Sequence, residues 1–311
     1  MIKGMESGGI LVIKHGALGD FILATGPFKA IRQHHTKEAI TLLTAPFFSQ
    51  LAKDCGWFDN IIIDRRPKLW NLKGLLSLRS TLRKNYFKRV YDLQTSKRSS
   101  SYFFLFKRPK PEWSGIARNA SHVHINPHRN QLHTLERQAE QLKIAGIDYV
   151  TDPDISWLSS SLRKFKLPKT YALIVPGGSA HRSAKRWPAE YFSELAKMLL
   201  KDGISPLLIG SVAESEIINT IESAAPGSKN LCGKTDIADI ASLARGSISA
   251  VGNDTGPMHV IAAAGCPSLV LFSAVSEPSI TCPRGKSVEI LRSKDLKSLD
   301  SSKVRNTMIF R

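Results

Sequence analysis

The chain has 311 residues, more than one hydrophobic core usually supports, so two domains of about 150 residues are expected. Hydrophobic residues make up 42% and charged residues 23%, an ordinary globular composition that excludes a disordered or low-complexity chain. The formal charge of +18 is uneven: between Asp64 and Arg129, sixteen Lys/Arg stand against three acids (Asp64, Asp92 and Glu112).

Gly9 to Lys14 is a continuous apolar run, typical of a central parallel strand. His15-Gly16-Ala17-Leu18-Gly19-Asp20 then turns into a helix predicted over 21–34. The turn is similar to a dinucleotide fingerprint with its third glycine out of place. Asp20 stands where a strand's C-terminal edge opens onto a crevice, the place ligands occupy in open α/β sheets; a helix cap is the bland alternative. Strands at 39–43 and 60–63 enclose a helix at 47–55, and Arg65, Arg66 and Lys68 follow directly, near the same edge. A basic helix at 73–85 leads to a strand at 89–93, and 96–110 alternates basic and apolar residues. The segment 113–130 holds Arg118, His122, His124 and His128 without a regular period and reads as loop. No acidic or cysteine companion has ligand spacing, so these histidines read as structural and not as a metal site. A helix at 134–145 closes at Gly146.

The stretch 148–169 reads as a linker, which sets domains at 1–155 and 156–311. A second alternation begins with a strand at 171–175 that runs into Pro176-Gly177-Gly178-Ser179, a loop able to set its backbone against a phosphate. Lys185-Arg186-Trp187-Pro188 precedes a helix at 189–201. After a strand at 205–209, Gly210-Ser211 opens a helix bearing Glu214 and Glu216. A helix at 237–244 and a strand at 248–251 lead to Gly252-Asn253-Asp254-Thr255-Gly256-Pro257-Met258-His259, and a further strand follows at 268–272. Thr255 or Asp254 suits an N-cap and Pro257 an early helical position. Free amides and the helix dipole there form a site for a diphosphate. Gly252 and Gly256 let the backbone approach a ligand closely. Two successive βαβα halves predict an α/β protein with two doubly wound sheets facing a cleft.

In order, K-H-G-A-L-G-D, P-G-G-S…K-R-W-P, G-S-x-x-E and N-D-T-G-P-M-H…A-A-A-G-C-P resemble glycosyltransferase family 9, the lipopolysaccharide heptosyltransferases, over about residues 10–278. The resemblance implies a GT-B fold of two Rossmann-like domains. The acceptor goes mainly to the N-terminal one and the donor to the C-terminal one, with the last helix (303–310) crossing back. It implies an inverting transfer of a heptose-type sugar from an ADP-sugar to an anionic core or lipid A-type glycolipid. Asp20 would take the acceptor's proton. Lys185 and the amides at Thr255 and Gly256 would stabilise the leaving diphosphate. Gly177, Ser179, Lys185, Glu214, Asp254, Thr255, Gly256 and His259 are expected at the donor, with Glu216 competing with Glu214 for the ribose. Arg65, Arg66, Lys68 and Arg118 are expected at the acceptor. Two departures stand out: Ser273 where many relatives have glycine, and Gly16-Ala17 in place of hydroxyl residues.

The sequence has no D-x-D pair of the kind metal-dependent glycosyltransferases use to hold a cation, so neither an essential metal nor a cofactor is expected. Another two-domain sugar-nucleotide enzyme, such as an epimerase, is the alternative. Nucleic acid is not an expected partner, because charge alone suggests it and no recognition motif or aromatic stacking pattern follows. The positive field suits an anionic glycolipid and an anionic membrane face. Four scattered cysteines, no run of about 20 apolar residues and no signal-peptide pattern predict a cytoplasmic protein, peripheral at the inner face of the cytoplasmic membrane.

Overall fold

A computed structural model of the chain describes residues 8–68, 70–178 and 183–311; the expected donor residue Ser179 lies outside them. The chain divides into two units, Met1–Asp154 and Ile155–Arg311.

The first unit runs β1 (Gly9–Ile13), α1 (Leu18–Leu23), α2 (Thr25–His34), β2 (Ile40–Thr44), α3 (Ser49–Asp54), β3 (Asn60–Ile63), α4 (Leu72–Lys84), β4 (Phe87–Asp92), α5 (Lys97–Ser101), β5 (Glu112–Gly115), β6 (His122–Val123) and α6 (Thr134–Ile144). Its sheet is parallel, in the order β3-β2-β1-β4-β5-β6. β1 and β2 are almost wholly buried, which is why both read as unbroken apolar runs. The helix predicted over 21–34 is two helices broken at Ala24. Pro27 has no N–H to give the Leu23 carbonyl, and Thr25 Oγ1 donates to Ile22 O at 2.7 Å instead. The segment read as loop contains β5 and β6, which are too short and too polar to show a period.

The second unit runs β7 (Tyr171–Val175), α7 (Ala189–Lys201), β8 (Ser205–Leu208), α8 (Ser215–Ala224), β9 (Lys229–Asn230), α9 (Ile237–Gly246), β10 (Ser249–Asn253), α10 (Gly256–Ala263), β11 (Ser268–Ser273), α11 (Pro278–Thr281), β12 (Val288–Ser293) and α12 (Ser301–Thr307). Its parallel order, β12-β11-β10-β7-β8-β9, repeats that of the first sheet. Both therefore reverse direction beside their first strand, at β1/β4 and at β7/β10, where doubly wound sheets open a crevice at the strands' C-terminal ends. Phe192, Leu195 and Leu199 of α7 pack with Ile218 and Ile221 of α8 over this sheet. The last helix, expected to cross to the first domain, instead buries Val304 in this same core, and Arg305 pairs with Asp202 at 2.6 Å. Among the described residues no helix is long and apolar enough to cross a membrane.

Candidate active site

At the β7/β10 switch point the second unit has a cavity of about 580 Å³. Gly177 and Gly178 line it from the loop after β7, Gly210 and Glu214 from the turn after β8, and Asp254, Thr255 and Gly256 from the turn after β10. Every parallel strand delivers its following loop to the same edge, so residues nearly eighty positions apart converge there.

Glu214 closes a capping box in which its Oε2 accepts from the Ser211 amide at 2.8 Å and from the Ser211 hydroxyl. A Cβ on Gly177 would stand 2.9 Å from Glu214 Cγ, so glycine is what lets this carboxylate sit against the loop. Glu216, the competing choice, is on the exposed side of α8 and does not line the cavity.

Thr255 is the N-cap of α10, with Pro257 in the first turn as expected, but its side chain makes no cap bond and donates to Asn253 O at 3.2 Å. Pro257 has no N–H and the Met258 amide donates to Thr255 O at 3.1 Å, so the amides at Thr255 and Gly256 are the ones this helix end can offer an anion. His259 is buried within α10 and is not part of the cavity lining. Gly252 has a different reason from the close approach expected of it. A Cβ there would lie 2.7 Å from Val175 O and 2.9 Å from Met258 Sδ, so this glycine seats α10 on the sheet.

Lys185 Nζ donates to Asp254 Oδ2 at 2.7 Å, and Ser276 Oγ donates to the same oxygen at 2.9 Å. Two neighbours were not singled out from sequence. Asn253, fully buried, accepts from the Trp187 amide at 3.0 Å and donates to Pro176 O and Gly177 O at 2.9 and 3.1 Å. Arg186 lines the cavity and donates to Gly178 O at 2.7 Å. Ser273, a departure from the family pattern, is buried at the end of β11 and lines no part of the cavity.

In the first unit Asp20 is half-buried in the first turn of α1, whose N-cap is Ala17 without a side-chain bond, so Asp20 is not a helix cap. The turn before it needs glycine: Gly16 has φ +97°, and a Cβ would collide with the Phe48 ring. Around this edge lie ionisable groups that the sequence did not reveal. Burial lowers the Lys14 ammonium and the Arg137 guanidinium from their usual values, and the Asp20 carboxylate opposes that shift in both. Lys14 Nζ reaches Leu93 O at 3.5 Å, and the His15 amide donates to Gln94 Oε1 at 2.9 Å, so both bridge β1 to the end of β4. His15 Nε2 lies 2.9 Å from Asp64 Oδ2, which also accepts from Tyr102 OH at 2.6 Å. Burial opposes charge on Asp64, but the hydrogen bonds from His15, Tyr102 and the Arg66 amide outweigh it and hold its carboxyl below the usual range.

Arg65, Arg66 and Lys68 are exposed after β3, and Arg118 is exposed after β5, so these cations flank the β1/β4 switch point on the same sheet edge. His124 is buried with Nε2 3.0 Å from Glu140 Oε2, and His122 shares a hydrogen bond with Ser121 at 2.9 Å, which gives both histidines structural partners.

Two Rossmann-ordered sheets, with a glycine-lined cavity on one and a half-buried aspartate on the other, are those of the GT-B fold, which glycosyltransferases share with other sugar-nucleotide enzymes. The profile of glycosyltransferase family 9 (heptosyltransferase) matches residues 75–308, and the chain belongs to that family. Lipooligosaccharide heptosyltransferase 2 of Haemophilus influenzae is 32% identical over 120 residues, covering 37% of this chain and 34% of that protein. In that match the chain spans about a third of the length of its curated relative. Lipopolysaccharide heptosyltransferase 3 of Escherichia coli is 25% identical over 293 residues, covering 82% and 80%. The fold superposes on Escherichia coli heptosyltransferase WaaC with ADP at a TM-score of 0.75, with 20% identity and coverage of 96% and 98%.

Proposed function

We propose that this chain is an inverting heptosyltransferase that transfers a heptose-type sugar from an ADP-sugar to an anionic lipopolysaccharide core or lipid A-type acceptor. The observation that carries this reading is the cavity at the β7/β10 switch point, where Glu214, the glycine loop and the start of α10 meet the Lys185–Asp254 pair. Glu214 suits the ribose hydroxyls. Lys185 and the amides at Thr255 and Gly256 suit the diphosphate. Asp254 and Ser276 suit the transferred sugar. The relatives named for lipopolysaccharide and lipooligosaccharide heptosyl transfer support the sugar and acceptor class, and the WaaC structure with ADP supports the nucleotide.

In this reading the second unit takes the donor and the first the acceptor. An acceptor hydroxyl attacks the anomeric carbon from the face opposite the diphosphate, and the carbon–oxygen bond to the β-phosphate breaks. Its electron pair stays on the departing ADP, and Asp20 removes the hydroxyl proton. Positive charge and helix-end amides offset the charge that builds on the leaving group. Arg65, Arg66, Lys68 and Arg118 hold acidic or phosphorylated groups of the acceptor, and the enzyme works peripherally at the inner face of the cytoplasmic membrane. The test is incubation with ADP-heptose, with and without a heptose-deficient lipopolysaccharide acceptor. The expected product is an acceptor glycoside of inverted anomeric configuration. Release of a heptose isomer without acceptor would establish an epimerase instead.

A further inference from the structure

Helix α4 has two apolar stripes, and the first unit's core uses one of them. Leu78 and Leu82, one turn apart, are 7% and 0% exposed and pack with Phe87, Tyr102 and Trp113. Leu72 and Leu76, also one turn apart, are 68% and 59% exposed. At about 100° per residue their stripe continues through Arg79 and Arg83, well round the helix from the buried one. Just before the helix Trp70 is 76% exposed, with the Lys68 ammonium 5.0 Å from its ring centroid. From residue 65 through 91 there are nine Lys/Arg and no acidic residue.

Single exposed apolar side chains are ordinary on soluble proteins. A tryptophan and two leucines grouped at one end of a helix, framed by cations with no acid among them, need a partner that is apolar and anionic together. The interface of an anionic bilayer has that chemistry. An indole sits at headgroup depth, leucines enter the acyl boundary, and lysine and arginine meet lipid phosphates. A nucleic acid would occupy the cations and the indole but leave Leu72 and Leu76 facing water.

We propose that Trp70 and the Leu72–Leu76 stripe of α4 are a docking face for an anionic phospholipid bilayer. The proposal rests on the heptosyltransferase reading for its purpose, since a lipid-anchored acceptor must be met at such a surface; its chemistry stands on the face alone. Lys68 stands over the Trp70 ring, so docking this face brings Lys68 to the same lipid surface, with Arg65 and Arg66 exposed just before it in the chain.

The experiment uses the full chain with vesicles of phosphatidylcholine, alone or mixed with phosphatidylglycerol. Expected are co-sedimentation with the mixed vesicles and a blue shift of tryptophan emission that the Trp70→Phe variant lacks. Trp70→Ser/Leu72→Ser/Leu76→Ser should lower partition by at least about tenfold while ADP affinity, measured by calorimetry on the same preparation, stays at the wild-type value. Arg65→Gln/Arg66→Gln should weaken binding only at low salt, where charges are poorly screened. Wild-type partition by the triple variant, or equal binding to neutral vesicles, overturns the proposal. So does a single-stranded oligonucleotide that binds more tightly than the mixed vesicles and displaces them. Vesicle binding that depends on these residues in a protein that transfers no sugar would sink the enzyme reading and leave the docking face standing.

Discussion

Lys185 Nζ stands 2.7 Å from Asp254 Oδ2, and the two side chains are only 13% and 10% exposed. A lysine held at a cavity by a carboxylate is positioned in advance for an incoming diphosphate, and the carboxylate limits its attraction for other anions. Lys185→Ala is therefore expected to weaken ADP binding by on the order of 10- to 100-fold, the worth of a hydrogen bond to a charged group, and adenosine binding far less. Asp254→Asn should cost ADP less than Lys185→Ala, because the ammonium remains. Calorimetry with ADP and adenosine reads both effects; equal loss for the two ligands would place Lys185 away from the phosphates.

Asp20 is half-buried near two cations whose own titration it opposes, Lys14 and Arg137. Asp20→Asn keeps the shape and removes the proton acceptor. Turnover should fall by about 10²- to 10⁴-fold with ADP affinity within about threefold of wild type. Steady-state transfer assays beside ADP titrations check this, and near-normal turnover would remove Asp20 as the base.

Gly177 faces Glu214 so closely that an added methyl would stand 2.9 Å from its Cγ. Gly177→Ala should displace the carboxylate from its capping box and weaken adenosine as much as ADP. That pattern is the reverse of the one expected from Lys185→Ala, and the same two titrations distinguish them.

Asp92, fully buried at the end of β4, has its carboxyl pushed up to about 6 by burial, against the Thr95 amide and Ser99 hydroxyl that favour its charge. Between the ordinary carboxyl value near 4 and this one, the folded chain keeps a proton that the unfolded chain gives up. Stability therefore falls as pH rises through that window, and the loss, on the order of 3 kcal/mol, is complete above it. His35 works in the opposite sense. Burial, with His34 beside it, lowers its imidazole to about 4, so stability falls as pH drops from the ordinary histidine value toward that figure. Urea unfolding should show Asp92→Asn more stable than wild type at about pH 7 and level with it at about pH 4. An equal gain at both values would refute the shift.

Elements buried on both faces were the readable ones. Gly9–Ile13 and Tyr171–Val175 are apolar throughout because helices cover both sides of their sheets, and Thr255 with Pro257 marks the start of α10. β6 and β9 have two residues each and lie at sheet edges, where no burial pattern is imposed on the sequence. At the site, single motifs told which residues gather but not how they pair. Lys185 and Asp254 are 69 positions apart and meet only because β7 and β10 are neighbours. The His15–Asp64–Tyr102 cluster draws on the ends of β1 and β3 and on the turn after α5, so no local spacing could announce it. Asn253 looked like part of a phosphate turn and is a strut below it.

That strut ties the floor of the cavity at the β7/β10 switch point to the sheet itself: one amide spans β10, the loop after β7 and the chain entering α7. Melting of the second unit should therefore abolish nucleotide capture in the same transition. Mass action then makes heat resistance a gauge of occupancy. ADP at about a hundred times its dissociation constant should stabilise the domain by about 2.7 kcal/mol, so a thermal-shift screen can rank donor nucleotides before any acceptor is in hand.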